Sequence, residues 1–309
     1  MIQIGSKFYY PKAQSWNDLD HKGLYMIYHY LYGQMPKNLE ESEEIMLRRM
    51  QIACYLLDIS DIDIKVAESE FMRQHGKKEG VVFFGEFLMK LQSYADAFFD
   101  IEINEDNERR FSPKLGLTKC PYPFIYYDYS PGKKRKMYAA ADEFLNMTIY
   151  EMGTVFTLFE QYIATNSLDI VHKLLAIIYR YPKDATAENK KTGYNGDIRM
   201  PLRGAESMIN RRAEHLSKTP DEFKQLIVFW IASCRNSIIK DYPNVFKKSV
   251  NTQENEKDYG WGGVLLALAD GLQNLNEISD QNIHNVLLFL SMKEDERQSL
   301  EFKKTLAQQ

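Results

Sequence analysis

Apolar residues recur three and four positions apart along most of the chain, which is the pattern of amphipathic α-helices. The clearest stripe consists of Ile149, Met152, Phe156, Phe159 and Ile163. Thr148 stands before it with Glu151 three residues later, the spacing of a capping box at a helix start. This pattern predicts that helices make up most of the fold.

Two more stripes follow in the second half of the chain. The first comes after Ser167 and consists of Leu168, Val171, Leu175 and Ile178. We expect it to stop at Tyr181, because a residue before proline disfavours the helical conformation. The second consists of Phe223, Ile227, Trp230, Cys234 and Ile238. Thr219 and Pro220 before it are typical of an N-cap and a first helical residue.

The first half of the chain also predicts helices, but its apolar residues are less regularly spaced. A capping box at Ser15 and Asp18 predicts that the first helix begins there, and the acidic run before Leu47 predicts a second helix over residues 39–57. Polar and apolar residues alternate over 61–66, which predicts a short strand. Apolar spacing then favours a helix over 81–99.

The stretch from about 100 to 140 differs from the rest. It holds Pro113, Pro121, Pro123 and Pro131 of the chain's 10 prolines, and it is rich in aromatic residues. Prolines with short aromatic runs indicate strands and turns. We therefore predict a mainly α fold, a multi-helix bundle-like body with a small inserted β-ribbon at about residues 100–140.

Three regions are predicted along the chain. They are an N-terminal helical region with the ribbon insertion, a central helical region, and a small C-terminal helical module. Their predicted bounds are 1–145, 146–250 and 251–309. A polar linker at Asn251–Asp258 marks the start of the third region.

Composition and charge narrow the function classes. Lys and Arg number 39 and Asp and Glu 43, so the formal charge is −4, which argues against general affinity for nucleic acid or an anionic membrane. The longest apolar runs, such as Leu226–Ala232, fall short of the ~20 residues that span a bilayer. The N-terminus lacks the basic and then apolar order of a signal peptide.

The three cysteines are Cys54, Cys120 and Cys234. They are too far apart in the sequence for a zinc knuckle or a redox pair, so free thiols in a reducing cytoplasm are expected.

A search for catalytic motifs finds none in the sequence. The six histidines form no HExxH or HxH pattern, and no GxSxG, Walker A or GxGxxG motif occurs. Gly260–Gly263 lacks the following Lys and Ser or Thr of a phosphate-binding loop. Asp197, Arg199 and Arg203 are interpreted as loop-anchoring ion pairs. We therefore expect a protein that is not an enzyme, with no cofactor and no metal site.

One segment combines basic and aromatic residues, as binding to a single-stranded nucleic acid requires. Its members are Tyr127, Tyr129, Lys133, Lys134, Arg135 and Lys136. The alternative is a solvated turn after Pro131 and Gly132. The acidic total charge favours the turn, so a nucleic acid is not the expected partner.

A series of segments carries a resemblance to known proteins. They are Ser15–Leu19, Leu174–Pro182, Gly196–Arg199, Phe229–Arg235, Tyr242–Phe246 and Tyr259–Trp261. Together they resemble uncharacterised proteins of tailed phages and prophages. The last quarter is similar to tail assembly chaperones, in which an aromatic-led helix precedes a short helical cap. Asp280–Leu288 would be that cap.

The resemblance implies a binding function in the host cytoplasm. A tail assembly chaperone coats the apolar helices of a tape-measure protein and delivers them to tail-tube subunits, which requires an aromatic- and Met-lined groove. The implied contacts with the partner are Phe229, Trp230, Tyr259 and Trp261, with Arg235 as a polar anchor. The alternatives are a structural virion component, such as a connector or tail-completion subunit, and a nucleic-acid-associated accessory protein.

Overall fold

The computed structural model describes most of the chain. The described residues are 1–103, 109–130, 133–183, 197–202, 207–246, 261, 268 and 274–307. Within them the fold is mainly α, with short two-stranded sheets, which confirms the predicted fold class. No helix in these ranges is long and apolar enough to cross a membrane.

Internal contacts divide the chain into two compact units, Met1–Leu117 and Thr118–Gln309. The predicted three-region division at 145 and 250 stays a prediction. The predicted linker over 251–258 lies outside the described residues.

The first unit contains two hairpins and three helical spans. They are β1 (Ile2–Ile4), β2 (Lys7–Tyr9), α1 (His21–Tyr32), α2 (Glu41–Leu57), α3 (Asp61–Gln92), β3 (Phe99–Ile103) and β4 (Arg109–Pro113). β1 pairs antiparallel with β2, and β3 with β4. The hairpin of β1 and β2 is absent from the predicted elements. Its strands have three residues each, too few for alternation to stand out.

The first helix begins later than predicted. Ser15 donates its hydroxyl proton to Asp18 (2.9 Å), but this pair starts only a single 3-10 turn over Trp16–Asp18. α1 begins at His21, where the Asp20 carboxylate accepts from the Gly23 amide (2.7 Å). The prediction for α2 is confirmed within two residues.

The predicted strand over 61–66 is wrong, because these residues form the first turns of α3. Ser60 and Asp63 make a reciprocal capping box, with the Ser60 amide donating to Asp63 (3.0 Å) and the Asp63 amide donating to Ser60 (3.3 Å). A six-residue alternation therefore yields to a strong helix-start signal. The helix predicted to reach residue 99 ends at Gln92, and a 3-10 turn continues to Phe98.

α3 is two helical segments folded back on each other at Gly76. The φ of Gly76 is 73° and its ψ is 167°, a region that side-chain-bearing residues rarely occupy. The ring centroids of Phe71 and Phe84 lie 6.3 Å apart, whereas thirteen residues of straight helix would separate them by about 20 Å. Gly80 permits the close approach, since a Cβ there would lie 2.8 Å from the Met72 Cα.

The second unit holds the third ribbon and the remaining helices. Its elements are β5 (Phe124–Ser130), β6 (Lys133–Tyr138), α4 (Ile149–Thr165), α5 (Leu168–Ile178), α6 (Ser207–Leu216), α7 (Asp221–Asp241), α8 (Pro243–Phe246), α9 (Leu275–Ser279) and α10 (Ile283–Ala307). The predicted ribbon interval thus contains two separate antiparallel ribbons, β3–β4 and β5–β6, one in each unit. In β5–β6, Tyr127 stands opposite Arg135 and Tyr126 opposite Lys136.

The predicted stripes of α4, α5 and α7 supply much of the core of this unit. Every member of the α7 stripe is buried, whereas Ile163 of α4 and Leu168 of α5 are exposed. Thr148 caps α4 by accepting from the Glu151 amide (3.2 Å). α7 has Pro220 as its N-cap, one residue after the predicted Thr219. Of the predicted short cap at 280–288, only residues 283–288 are helical, and they are the first turns of α10, which continues to Ala307.

We predict that Gly76→Ala lowers the free energy of unfolding by about 1–3 kcal/mol, because alanine cannot adopt this backbone conformation without strain. Urea unfolding followed by circular dichroism measures the change. Gly85→Ala is the matched control on the same helical span, with open space around the added methyl. It should be neutral or stabilise by up to about 1 kcal/mol. Equal losses in the two variants would contradict a required turn at Gly76.

Candidate functional site

A buried ionic cluster lies in the second unit, where its members hold separate segments of the chain together. It consists of Glu151 on α4, Arg180 after α5, and Asp197 and Arg199, all four with at most 5% of their surface exposed. Arg180 Nη1 lies 2.6 Å from Glu151 Oε1. Arg199 donates to both oxygens of Asp197, from Nε (2.9 Å) and from Nη2 (3.0 Å). Two positive and two negative charges are thereby buried together.

The arginines of the cluster also donate hydrogen bonds to backbone carbonyl groups. Arg180 Nη1 donates to the Met200 carbonyl (2.6 Å), and Arg199 Nη1 donates to the Ile178 carbonyl (3.2 Å). The amide of Met200 in turn donates to the Tyr181 carbonyl (2.8 Å), and Arg180 and Tyr138 exchange two backbone hydrogen bonds. The segments around Tyr181 and Met200 are therefore fixed beside the end of β6.

The predicted ion pair between Asp197 and Arg199 is confirmed, and Arg203 lies outside the described residues. Glu151 does more than the capping box suggested. Its amide is held by Thr148, but its carboxylate pairs with Arg180 and lies 3.3 Å from Arg199 Nη2. No pattern in the sequence indicates this pairing, because Glu at that position is typical of a solvated helix start.

A third guanidinium, that of Arg212 on α6, is buried nearby. Its Nε donates to the Ala176 carbonyl (2.9 Å), and its Nη2 has no hydrogen-bond partner. Burial lowers the pKa of Arg212, and the charge of Arg180 lowers it further. Burial and the neighbouring Arg199 likewise lower the pKa of Arg180. Arginine is not deprotonated in proteins at neutral pH, so both groups stay charged. The described residues supply no ion pair for Arg212.

A basic and aromatic cleft of about 570 Å³ opens beside this cluster. Its described lining comes from the β5–β6 ribbon, the Tyr181 and Met200 segments, and α6. The lining residues are Tyr127, Arg135, Lys136, Tyr181, Pro182, Met200, Met208, Arg211 and His215. We call it the basic cleft. None of these residues is acidic.

Aromatic rings form one wall of the basic cleft. The Tyr127 ring centroid lies 5.1 Å from that of Tyr181 and 6.1 Å from that of His215. Burial raises the pKa of Tyr127 to about 12, and a hydrogen bond with Tyr181 acts in the same direction. The Tyr127 hydroxyl is therefore neutral and adds no negative charge to the cleft at physiological pH.

The structure brings together part of the predicted basic patch. Tyr127, Arg135 and Lys136 line the cleft, and Lys134 is exposed. The side chains of Tyr129 and Lys133 lie outside the description, although both residues belong to the ribbon strands. The Lys136 ammonium lies 4.3 Å from the Phe124 ring centroid, a cation–π distance.

Sequence reasoning missed the other side of this cleft. Arg211 and His215 are four residues apart on α6, so they lie on one face of that helix. The sequence could have indicated that shared face. It offered nothing that paired the face with a ribbon about 75 residues earlier.

A second cleft, of about 470 Å³, lies over α4, α5 and α6. Its described lining residues are Tyr150, Gly153, Thr154, Thr157, Leu158, Lys173, Ile177, Ile209, Asn210 and Trp261. We call it the apolar cleft. Trp261 packs edge-on against Phe156 (6.0 Å) and Phe246 (5.7 Å). Gly153 permits this position, since a Cβ there would lie 3.1 Å from the Trp261 Cβ.

The other predicted partner contacts lie elsewhere. Phe229 and Trp230 are buried, and Trp230 Nε1 donates to the Thr118 carbonyl (2.9 Å), so a partner would reach them only if α7 moved. Arg235 is partly exposed and pairs with Glu160 (3.0 Å). Tyr259 lies outside the described residues. A role for these four in partner binding stays a prediction.

The cysteines are free, as predicted, with Cys120 and Cys234 buried and Cys54 partly exposed. Burial raises the pKa of Cys120 to about 12 and that of Cys54 to about 11, so neither is a ready thiolate nucleophile. Within the described ranges, His, Cys, Asp and Glu side chains form no group of three that could hold a metal ion.

Comparison of the chain with protein-family models, with curated proteins and with solved structures found no match.

We predict that Glu151→Gln lowers the free energy of unfolding of the second unit by about 3–5 kcal/mol, because it leaves a buried guanidinium without its counter-charge. Urea unfolding followed by tryptophan fluorescence measures the change in a Trp16→Phe background, since Trp230 is buried in this unit and Trp16 is buried in the first.

The control is Glu160→Gln on the same helix, where the carboxylate is 63% exposed and pairs with Arg235. Its loss should stay below about 1 kcal/mol. A loss of that size for Glu151→Gln would show that the cluster contributes little to stability.

Proposed function

We propose that this chain is a non-enzymatic assembly factor of tailed phages, a tail assembly chaperone that binds apolar helices of a tape-measure protein. The observation that carries the proposal is the apolar cleft beside Trp261. Trp261 lies in the last quarter of the chain, which resembles such chaperones. That resemblance implies that Trp261 contacts the partner.

The shape of the apolar cleft suits the ridge of a helix. Its floor comes from α4 and α5, which are joined by only Asn166 and Ser167 and therefore form a helical hairpin. Thr154 and Thr157 are small and leave room on α4, whereas Leu158 and Ile209, both partly exposed, supply apolar contact. Helix-in-groove recognition needs this combination of space and apolar surface.

The chemistry of the lining indicates what kind of helix would fit. Lys173 is the one charged side chain among the described lining residues. An amphipathic helix with an apolar face and an acidic residue at its edge would bury the former and pair the latter with Lys173. Such contacts make few demands on sequence, as a chaperone for successive helices requires.

We predict that Thr157→Arg weakens capture of the co-expressed tape-measure protein at least about tenfold, because a long charged side chain would fill the apolar cleft. Quantitative pull-down from cells expressing both proteins measures the loss. Thr165→Arg is the matched control, an exposed threonine on the same helix that is not among the lining residues. It should bind as the unaltered chain does.

Failure of the unaltered chain to retain a tape-measure or tail-tube protein would contradict the proposal. Equal binding by both arginine variants would place the contact outside the apolar cleft. Mass spectrometry of purified particles separates the alternative of a virion component, because a chaperone should be absent from them and a connector or tail-completion subunit present in stoichiometric amount.

A further inference from the structure

We propose that the basic cleft binds a single-stranded nucleic acid, with a phosphate between α6 and the β5–β6 ribbon and a base against the ribbon's aromatic rings. The site is separate from the apolar cleft and does not depend on the chaperone proposal.

The charged side chains around the basic cleft favour the binding of a phosphate. Arg211 is exposed on α6, and no hydrogen bond or ion pair within the described part of the chain holds it. His215 lies one turn further along the same face, and Arg135 stands across the cleft on β6. Because no described lining residue is acidic, the cleft attracts anions although the whole chain carries a charge of −4.

Arg212 supplies a second and independent observation. Its side chain is 2% exposed, and its Nη2 has neither a hydrogen bond nor a carboxylate partner. Glu151 and Asp197 pair with Arg180 and Arg199, which leaves the Arg212 charge without a counter-ion in the described part of the unit. Arg212 is not among the described lining residues, but its charge interacts with Tyr181, a wall residue of the cleft. It therefore adds to the positive potential that a phosphate in the cleft would meet.

The aromatic residues favour a nucleic acid over an acidic peptide. Tyr127 and Tyr181 stand side by side in the cleft wall. Phe124 and Tyr126 are exposed on the other face of β5, since successive strand residues alternate between faces. Phe124 and Tyr126 pack edge to face (5.8 Å) beneath the Lys136 ammonium. Rings interleaved with cations let bases stack while phosphates are neutralised. An acidic peptide would neutralise the cations but has no bases to stack on those ring faces.

The size of the basic cleft sets the mode of binding. A volume of about 570 Å³ holds one or two nucleotides rather than a duplex, whose width exceeds that of such a cleft. Lys136 lines the cleft and also lies over the rings of Phe124 and Tyr126, so it connects the cleft with the outer face of the ribbon. The ligand that fits is therefore an unpaired strand.

The test is fluorescence anisotropy with a fluorescein-labelled oligothymidylate of about 12 nucleotides, titrated with the full chain over a salt series. Arg211→Gln should weaken binding about tenfold at low salt and reduce the slope of log affinity against log salt by about 0.7, the value for one lost phosphate contact on a single strand. Lys240→Gln is the matched control, an exposed cation on α7 outside the cleft lining. It should change affinity less than about twofold.

Salt-dependent binding that falls in Arg211→Gln and persists in Lys240→Gln supports the proposal. Absence of binding by the unaltered chain overturns it, as does an equal loss in the two variants. Competitors test the ligand class. Displacement of the strand by oligoglutamate as readily as by unlabelled oligothymidylate overturns recognition of bases, and equal affinity for thymidine monophosphate overturns recognition of a strand.

Discussion

The second unit depends on the burial of two arginines with two carboxylates. Removing such charges from water costs several kcal/mol each, and only close pairing with further hydrogen bonds offsets the cost. Glu151, Asp197, Arg180 and Arg199 meet most of that condition with contacts of 2.6 to 3.6 Å and with bonds to the carbonyls of Met200 and Ile178. Arg180 Nε and Nη2 make no hydrogen bond, so the cluster depends on its ion pairs. Any rearrangement of α4, of the end of α5 or of the Met200 segment would leave a charge unpaired.

Both clefts follow from this constraint. Glu151 fixes the first turn of α4, the helix that two residues later presents Gly153 and the small residues of the apolar cleft. Arg180 fixes the segment that carries Tyr181, one wall of the basic cleft. The arrangement also uses both carboxylates, so Arg212 remains as a positive charge beneath that wall. One set of ion pairs thus positions segments that line an apolar cleft and segments that line an electropositive cleft.

The sequence predicted what short-range periodicity determines. The stripes of α4 and α7 and the cap at Thr148 follow from local spacing, and they were found. The strand at 61–66 was predicted wrongly because six alternating residues could not outweigh the capping box at Ser60. The sequence predicted only part of the lining of the basic cleft. Arg135 stood out beside its tyrosines, whereas the contribution of Arg211 depends on packing between distant segments, which no local pattern records.

The most direct test of the central role of the ion cluster is a double-mutant cycle on Glu151 and Arg180. The free energy of unfolding is measured for Glu151→Gln, Arg180→Gln, the double variant and the unaltered chain. We expect a coupling energy of about 2 kcal/mol or more, since the second substitution removes the charge that the first leaves unpaired. Additive losses, with a coupling near zero, would contradict it.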